Sequence, residues 1–249
     1  MSTLLNTIIS RISIPDQLVF TEGCLFLVDK PLEWTSFDVV NKLRFTIRYA
    51  INVKKIKVGH AGTLDPLASG LLLVCAGKYT KSISELQGMN KAYTGIIRLG
   101  ATTPTYDAES EPDSTFPVDH IKYDDIVEAA EKLTGKIEQM PPVYSAIKVK
   151  GQTAYSLARR GKKVELEPRS IEIIGFEITK VDGNDVHFFV SCSKGTYIRS
   201  LAHDFGKILD SGAYLAELRR VSIGPYNVKD ALSIEDITEI INRLAAVED

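Results

Sequence analysis

The sequence predicts an α+β protein with a mostly antiparallel, mixed sheet and flanking helices. Short apolar runs that resemble strands are mixed with helical patterns, without the strict strand–helix alternation of a doubly wound fold. Arg169–Lys180 and Asp185–Cys192 alternate like strands and flank Val181-Asp-Gly-Asn184, which is a hairpin signal. Lys91–Gly100 carries apolar residues on both faces, which is typical of a central strand covered on both sides.

The elements of the first half follow from apolar spacing and from turn residues. Residues 1–15 are expected to form a short helix or an arm that ends at Pro15. Cys24–Val28 predicts a buried strand. Ser36 is expected to cap a helix whose apolar residues recur at helical spacing, namely Val39, Val40, Leu43 and Ile47. A second buried strand and a short helix are expected at Leu71–Val74 and Thr80–Leu86.

The second half is read in the same way. Asp124–Leu133 predicts a helix with Gly135 as its C-terminal cap. Ser193–Thr196 is a turn that leads into an amphipathic helix, and Ser233 is expected to cap the last helix. The amphipathic helix has a predicted apolar face made of Ile198, Leu201, Phe205, Ile208 and Leu209.

Composition excludes several classes of protein. The chain has 249 residues, 44% of them hydrophobic and 25% charged, as in an ordinary globular protein. No apolar stretch approaches the roughly 20 residues that cross a membrane, and the N-terminus lacks the pattern of a secretory signal. Cys24, Cys75 and Cys192 are odd in number and lie in apolar contexts, which predicts buried thiols. We therefore expect a cytoplasmic protein.

Charge is segregated along the chain although the net charge is only −2. Tyr144–Lys163 contains six basic residues and no acid, and a second basic cluster precedes residue 58. The basic residues of the two clusters are Lys148, Lys150, Arg159, Arg160, Lys162 and Lys163, and Arg44, Arg48, Lys54, Lys55 and Lys57. Asp107–Glu138 is the reverse, with ten acids against three lysines. Two basic clusters with interleaved aromatic residues favour nucleic acid as a partner over simple solvation of helix faces.

The stretch Gly59–Gly70 reads G-H-A-G-T-L-D-P-L-A-S-G and holds a single carboxylate, Asp65. Three glycines and one proline exclude a regular helix or a long strand, so a surface loop is expected. Two interpretations of Asp65 remain at this point. It is either the N-cap of a helix that begins at Pro66, or a functional acid held on a stiff turn.

The remaining candidates for chemistry are few. The four histidines are scattered without metal-ligand spacing, and no glycine-rich nucleotide motif is present, so neither metal catalysis nor a nucleotide cofactor is expected. Arg199 falls in the first turn of the amphipathic helix, where a positive charge is unfavourable by roughly 0.3–1 kcal/mol. An arginine there suggests a carboxylate partner elsewhere, and Asp65 is a candidate, although a solvated arginine without a role is the alternative.

Five collinear motifs, together with the loop, resemble those of the TruB-type tRNA pseudouridine synthases. The loop Gly59–Gly70 is very close to the catalytic motif of that family. The other motifs are Leu27-Val-Asp-Lys-Pro31 with Thr35-Ser36, Lys91-Ala-Tyr93 with Leu99-Gly100, Tyr144-Ser-Ala-Ile-Lys148, Ser193-Lys-Gly-Thr-Tyr-Ile-Arg199 and Leu218-Arg219-Arg220. With the resemblance, a catalytic role for Asp65 becomes the preferred interpretation over a helix cap.

The resemblance implies the pseudouridine-synthase catalytic fold and the isomerisation of the T-loop uridine of tRNA, conventional position 55, to pseudouridine. It implies base flipping, tRNA as the partner through its T-arm, no cofactor, no metal and no membrane. We expect a monomer without an obligatory protein partner. The implied organisation is an N-terminal arm or helix over residues 1–20, a catalytic domain over 21–232, and a C-terminal helix over 233–249 without a PUA domain.

Residue roles follow from the matching motif positions. Asp65 matches the essential aspartate, Arg199 the arginine that pairs with it, and Tyr93 the tyrosine that stacks on the uracil. His60 matches the histidine that fills the space of the flipped base. Tyr197 and Leu218 match positions that line the base pocket. Lys30, Lys81 and Lys148 match family positions, for which we expect phosphate contact or a structural role.

The sequence departs from the family in three places, and it leaves other functions open. Glu33 stands where a glycine is usual, Phe37 where a polar residue is common, and Pro104 where an acid is usual. The alternative functions are a pseudouridine synthase acting on another RNA and a noncatalytic RNA chaperone. A glycoside hydrolase would need a second carboxylate about 5–10 Å from the first, and no comparable loop offers one.

Overall fold

The structure is a computed structural model that describes residues 8–16, 19–145, 147–149, 151–162 and 164–245. The start of the predicted arm, residues 1–7, and two of the predicted basic residues, Lys150 and Lys163, lie outside that part. The described strands, in chain order, are β1 (Ile8–Ile9), β2 (Cys24–Lys30), β3 (Val58–His60), β4 (Ala68–Ala76), β5 (Lys91–Leu99), β6 (Ala101–Thr102), β7 (Ser114–Thr115), β8 (Gly135–Gln139), β9 (Lys148–Val149), β10 (Gln152–Thr153), β11 (Arg169–Asp182), β12 (Asp185–Cys192), β13 (Ala213–Ile223) and β14 (Tyr226–Asn227). The described α-helices are α1 (Ser36–Ala50), α2 (Ile83–Gly88), α3 (Tyr123–Lys132), α4 (Ala154–Arg159), α5 (Ile198–Ile208) and α6 (Ile234–Ala245).

The chain divides into two compact units. The first contains the residues up to Ala92 together with those from Arg219 onward, and the second is Tyr93–Leu218. The predicted α+β class with a mostly antiparallel sheet is confirmed in both. Within the described residues, no helix is both long and apolar enough to cross a membrane.

The first unit is a sheet with buried residues on both faces. Its strands follow the order β1-β2-β4-β13, with β3 paired to β4 and β14 to β13. The apolar run of β4 contains no polar residue at alternate positions, because both faces of the strand are buried. Leu72 and Val74 pack into one core cluster with α1 and α6, whereas Leu71 and Leu73 pack into another on the opposite face. A strand covered on both faces needs apolar side chains at every position.

The helix α1 begins differently from the prediction. Thr35 is the N-cap, because its side chain accepts a hydrogen bond from the backbone N–H of Asp38 and its own N–H donates to the Asp38 carboxylate. This reciprocal pair is a capping box. Ser36, predicted to be the cap, is instead the first residue of the helix and is 2% exposed. Its hydroxyl is therefore available for another contact, described below.

The second unit is built on a sheet in the order β13-β5-β12-β11-β8, with α3 packed against β11. β5 lies between β13 and β12, which confirms the predicted central strand. β11 and β12 form the predicted hairpin, and Gly183 in its turn has a φ of +58°. Phe188 of β12 and Phe205 of α5 both pack against Phe176, at ring-centroid distances of 5.8 and 5.7 Å.

Several local predictions need correction. Ile8–Ile9 is a short strand parallel to β2, so the described part of the N-terminal segment is not helical. The predicted helix Thr80–Leu86 is a 3-10 segment, Gly77–Ser82, followed by α2. Ile208 of α5 is 38% exposed and does not belong to its buried face. The sequence does not predict β8, because Gly135–Gln139 is short and has only one strongly apolar side chain, Ile137.

All three cysteines are buried, as the sequence predicts. Burial raises the pKa of the Cys75 thiol to about 12, and it raises the pKa of Cys24 further. Thiols with raised pKa values are poor nucleophiles at neutral pH. These two cysteines therefore act as small apolar residues of the core.

Candidate active-site loop and its supports

Asp65 lies on a turn that leads into a strand, not into a helix. β3 pairs antiparallel with the end of β4, and the chain between them carries Asp65. The backbone N–H of Ala68 donates to the carbonyl of Asp65 at 3.0 Å, so Asp65 and Ala68 close a four-residue turn with Pro66 and Leu67 at its corner. Aspartate followed by proline is favoured in such a turn. The N-cap interpretation of Asp65 is therefore wrong, because no helix follows it.

Hydrogen bonds from α1 and from the turn before it hold the backbone of this loop. The Ser36 hydroxyl accepts a hydrogen bond from the N–H of Leu64 at 2.8 Å and donates to the carbonyl of the same residue at 3.0 Å. The N–H of Glu33 donates to the carbonyl of Pro66 at 2.8 Å. These contacts flank Asp65 on both sides. The backbone that carries its carboxylate is thus held by α1 and by the turn before it.

Arg220 gives the loop a third support. It is 1% exposed, and its guanidinium donates to the carbonyls of Leu71, Gly62 and Thr63 at 2.7, 3.1 and 3.4 Å. A guanidinium has five donors in a rigid fork, so one side chain can bind several carbonyls at once. Arg220 thereby joins the beginning of the loop to the strand that follows it.

Lys30 is the second buried cation of this region. Its ammonium donates to the carbonyls of Pro31 and Trp34 at 2.8 and 2.7 Å, and the residue is 0% exposed. Burial lowers its pKa to about 8, while the nearby Asp65 carboxylate opposes that shift. The structure thus brings Lys30 and Asp65 into electrostatic contact within the first unit.

His60 lies at the end of β3, before the loop, and is half-buried. Burial lowers the pKa of its imidazole, and the Arg220 guanidinium lowers it further. A neutral ring is therefore favoured at physiological pH. A neutral, half-buried imidazole can contact a flat base without the cost of desolvating a charge.

Arg219 reaches the surface beside the loop. Its guanidinium binds both carboxylate oxygens of Asp29, at 3.0 and 2.7 Å, and contacts the hydroxyl of Ser69 at 3.3 Å. Arg219 is 40% exposed, so the bidentate pair faces solvent on one side. The pair joins β2, β4 and β13 at the edge of the Asp65 turn.

In the second unit, Arg199 is buried in the first turn of α5. One of its partners is Asp107, with Nη1 and Oδ2 separated by 3.5 Å and both side chains about nine-tenths buried. The guanidinium also donates to the carbonyl of Thr105 at 3.4 Å. The Asp107 carboxylate accepts a hydrogen bond from the backbone N–H of Glu109 at 3.0 Å. Asp107 is therefore one carboxylate partner of Arg199, whereas the partner that the sequence suggested is Asp65.

The start of α5 is fixed by a side-chain amide. Gln139, which is 2% exposed, donates from its amide nitrogen to the carbonyl of Tyr197 and accepts from the N–H of the same residue, at 3.0 and 2.8 Å. The Ser200 hydroxyl donates to the carbonyl of Met140 at 2.7 Å. These contacts set the positions of Tyr197 and Arg199, which are two of the predicted site residues.

The remaining predicted residues lie on defined elements. Tyr93 is on β5 and 7% exposed, and Leu218 is half-buried on β13. Lys81 is exposed in the 3-10 segment Gly77–Ser82. Lys148 is exposed on β9, which pairs with β10 in a short hairpin. Among the residues that the structure describes, no group of three or more His, Cys, Asp or Glu is placed to hold a metal ion.

The sequence does not reveal the supporting residues. It predicts Ser36 as a helix cap, it gives Arg220 as part of a motif, and it assigns no supporting role to Asp107. Gln139 carries no signal, since a glutamine in a short polar strand is ordinary. A clue exists for Arg220, which is preceded by another arginine in a strand whose alternation predicts that one of the two points inward.

Comparisons with known proteins agree with the motifs. A family model described as TruB family pseudouridylate synthase (N terminal domain) matches residues 48–198. A second model, described as tRNA pseudouridylate synthase B C-terminal domain, matches residues 199–248. A protein of Flavobacterium johnsoniae named tRNA pseudouridine synthase B is 53% identical over 216 residues, which cover 86% of this chain and 94% of that protein. A protein of the same name from Phocaeicola vulgatus is 49% identical and covers 90% of this chain and 95% of its own.

Solved structures with similar folds include a crystal structure of a Cbf5-Nop10-Gar1 complex. The matching chain has a TM-score of 0.68 and 27% identity, over 95% of this chain and 63% of that one. A structure of an H/ACA RNP bound to a substrate RNA containing 2′-deoxyuridine matches with a TM-score of 0.64 and 26% identity, over 91% of this chain and 59% of the other. This chain therefore spans less than two thirds of those longer chains.

Proposed function

Because the chain belongs to the TruB family of pseudouridylate synthases, we propose that it isomerises the T-loop uridine of tRNA, conventional position 55, to pseudouridine. Two relatives named tRNA pseudouridine synthase B, each about half identical to this chain over nearly their whole length, support tRNA as the substrate. The T-loop position follows from the motif resemblance. The observation that carries the proposal is the turn that bears Asp65, whose backbone is held by hydrogen bonds on both sides of that residue.

The reaction is balanced without a cofactor. The glycosidic bond between C1′ and N1 of the uridine breaks, the uracil turns, and a bond between C1′ and C5 forms. The proton on C5 is lost and N1 gains one, so no electrons enter or leave. We propose that the base is flipped out of the RNA stack, because chemistry at the glycosidic bond and C5 needs access to both.

We propose Asp65 as the catalytic residue, with attack on the sugar, attack on the base and removal of a sugar proton as its three alternative steps. Tyr93 stacks on the uracil and Arg199 pairs with the catalytic carboxylate. Tyr197 and Leu218 line the base pocket, and His60 fills the space that the base leaves. The lowered pKa of His60 supports this role, since a neutral ring stacks among bases without an unpaired charge.

The three lysines receive different roles. The buried ammonium of Lys30, bound to two backbone carbonyls, supports a structural role in which it also offsets the charge of Asp65. Lys81 and Lys148 are exposed, and we propose that they contact phosphates. We further propose that the T-arm of tRNA is the only obligatory partner and that the protein acts as a monomer in the cytoplasm.

A tritium-release assay tests the catalytic assignment. T-arm transcripts and full tRNA carry uridine labelled with tritium at C5, and the label is lost to water when C5 bonds to the sugar. Wild-type protein should release one tritium for each RNA molecule, from the T-loop uridine at position 55. The Asp65→Asn variant should release none above background while it still binds the tRNA, because the amide keeps the shape of the side chain but not its charge.

The control is Asp119→Asn, which changes an exposed carboxylate in a turn of the second unit. This variant should release tritium at the wild-type rate. Normal release by Asp65→Asn would exclude a catalytic role for that carboxylate. Release from another RNA and not from tRNA would indicate a synthase with a different substrate, and tRNA binding without any release would indicate a noncatalytic RNA chaperone.

A further inference from the structure

The helix α1 exposes a row of aromatic side chains. Phe37, Phe45 and Tyr49 are 61%, 62% and 93% exposed. Together with Asn41 they occupy every fourth position, so they lie along one side of the helix. We call this side the α1 aromatic face. The opposite side of α1 is the buried one, with Val39, Val40, Leu43 and Ile47 in the core cluster that also contains residues of α6. The packing of α1 therefore does not require the exposed rings.

Basic residues accompany these rings along α1 and just after it. The Arg48 guanidinium lies 5.8 Å from the centroid of the Phe45 ring, and Lys42 and Arg44 lie on the same helix. Three exposed lysines follow the helix, namely Lys54, Lys55 and Lys57. The single acid in the sequence of α1, Asp38, is engaged in the capping box with Thr35. The positive charge of these residues complements a polyanion, and the spaced rings offer flat surfaces on which bases can stack.

This combination fits unpaired nucleotides better than an apolar protein segment. Proteins that bind single strands combine cationic grooves for the backbone with aromatic side chains on which bases stack. A partner helix would require a continuous apolar groove, whereas the rings here are separated by Asn41 and bordered by arginine and lysine. Phe37 is also one of the positions at which the sequence departs from the TruB pattern.

The N-terminal end of α1, where Phe37 lies, is beside the Asp65 loop. Ser36, the residue before Phe37, exchanges two hydrogen bonds with Leu64, which precedes Asp65. Farther along the helix, Arg44 donates to the carbonyl of Val58, where β3 begins. From Phe37 to Tyr49 the helix rises by about 18 Å, at 1.5 Å per residue. An RNA whose reacting nucleotide lies at Asp65 therefore has neighbouring nucleotides within reach of this face.

We propose that the α1 aromatic face binds unpaired nucleotides of the RNA substrate, by stacking on Phe37, Phe45 and Tyr49, outside the nucleotide that reacts. The proposal rests on the proposed function, because the Asp65 loop is what brings the RNA to this side of the first unit. Lys54, Lys55 and Lys57 would then hold the backbone of the same segment.

The test is the binding of tRNA by the double variant Phe45→Ala/Tyr49→Ala. Alanine favours the helix and both side chains are exposed, so the variant should keep the wild-type melting temperature. The dissociation constant for full tRNA should rise roughly fivefold for each ring, which is the lower end of the stacking contribution of one base. The slope of binding against salt should stay the same, because neither ring carries a charge.

Tyr123→Ala is the matched control. Tyr123 is 58% exposed on α3, but Asp124 and Asp125 follow it, so it should not contact RNA. This variant should bind tRNA like the wild type. A fully paired RNA hairpin with a minimal loop serves as a second probe, and its affinity should not change in the double variant.

Several outcomes would overturn the inference. They are wild-type affinity of the double variant for tRNA, an equal loss of affinity for the fully paired hairpin, or a wild-type dimer that the double variant no longer forms.

Pseudouridine formation by the wild type is measured in the same tRNA. If pseudouridine forms but binding does not depend on the rings, the inference fails and the proposed function stands. If binding depends on the rings but no pseudouridine forms, the proposed function fails, and with it the claim that the bound nucleotides neighbour a reacting one.

Discussion

Arg199 shows how a single residue depends on neighbours that are distant in sequence. A positive charge in the first turn of a helix opposes the helix dipole, yet Arg199 is there and is 8% exposed. Asp107 lies 3.5 Å away and is itself held by the N–H of Glu109. A buried arginine is tolerated only with such compensation. Asp107 therefore compensates the buried charge of Arg199.

We predict that Asp107→Asn lowers the free energy of unfolding by about 3 kcal/mol, because it leaves the Arg199 guanidinium with less compensating charge in a buried setting. Urea unfolding of the purified variant measures this. The control is Asp185→Asn, which breaks the Arg98–Asp185 pair, whose side chains are 48% and 27% exposed. That change should cost less than about 1 kcal/mol. Equal losses would contradict the buried role of Asp107.

His203 provides a second prediction, on pH. Its ring stacks on Tyr106 with centroids 3.8 Å apart, and burial, assisted by Lys207, lowers its pKa to about 4. The folded pKa lies below the unfolded value, so the unfolded state binds more protons between about pH 6.5 and about pH 4. The free energy of unfolding therefore has its full value, as far as His203 is concerned, above about pH 6.5. It falls as the pH falls toward about 4, because the unfolded state takes up the proton first.

The variant His203→Phe keeps a ring against Tyr106 but cannot titrate. We predict that wild-type protein loses more unfolding free energy than this variant between about pH 7 and about pH 4.5. Urea unfolding at several pH values measures the unfolding free energy of each protein. In the difference between the two values, the contributions of groups that both proteins share cancel. Parallel pH dependences of the two proteins would show that His203 is not the group responsible.

At the scale of elements, the Asp65 loop depends on its two bordering strands. Gly70 in β4 has a φ of +101°, and a Cβ there would collide with the carbonyl oxygen of Arg220. Glycine is needed at this position for its backbone conformation and for the close approach of β13. The approach lets Arg220 reach the carbonyls of Gly62 and Thr63. The glycine of the motif is therefore part of the support for Asp65.

We predict that Gly70→Ala destabilises the protein by about 3 kcal/mol or more and lowers the rate of tritium release, because β13 must move away from β4. Gly183→Ala is the control. Gly183 has a φ of +58°, but no described atom lies within 4 Å of the place that its Cβ would take, so only the conformational cost of about 1 kcal/mol should appear. Thermal unfolding compares the two variants. A smaller loss for Gly70→Ala than for Gly183→Ala would exclude the steric explanation.

At the scale of the whole molecule, the distribution of charge matters more than its sum. The net charge of −2 predicts no general attraction to RNA, but cations are concentrated in two segments and acids in another. Lys54 and Lys55 are exposed after α1, and Arg159 and Arg160 are exposed at the end of α4. Binding of tRNA should therefore be salt-dependent in spite of the acidic pI of about 6.1.

We predict that Lys54→Gln/Lys55→Gln reduces the slope of log affinity for tRNA against log salt by about 0.9 for each phosphate that the variant no longer neutralises. Filter binding between low and moderate salt measures the slope. Lys132→Gln is the control, because Lys132 lies on the acidic helix α3 in a surface pair with Glu128. An unchanged slope in the double variant would remove the first basic cluster from the RNA-binding surface.

Much of this protein is determined by sequence alone. Alternating and continuous apolar runs predict β2, β4, β5 and the β11–β12 hairpin, because a strand that is buried on one or both faces must show that burial in its residues. The motifs identify the family and the candidate Asp65, since the reaction restricts which residue types can occupy those positions.

The tertiary structure decided what local patterns leave ambiguous. Asp65-Pro66 is compatible with a helix cap or a turn, and Ser36 with a cap or a buried contact, because both choices satisfy the same local hydrogen bonds. Only the pairing of β3 with β4 and the approach of β13 selected the turn and directed Ser36 and Arg220 to the loop. These contacts join residues up to 158 positions apart, at a separation that no local spacing rule can reach.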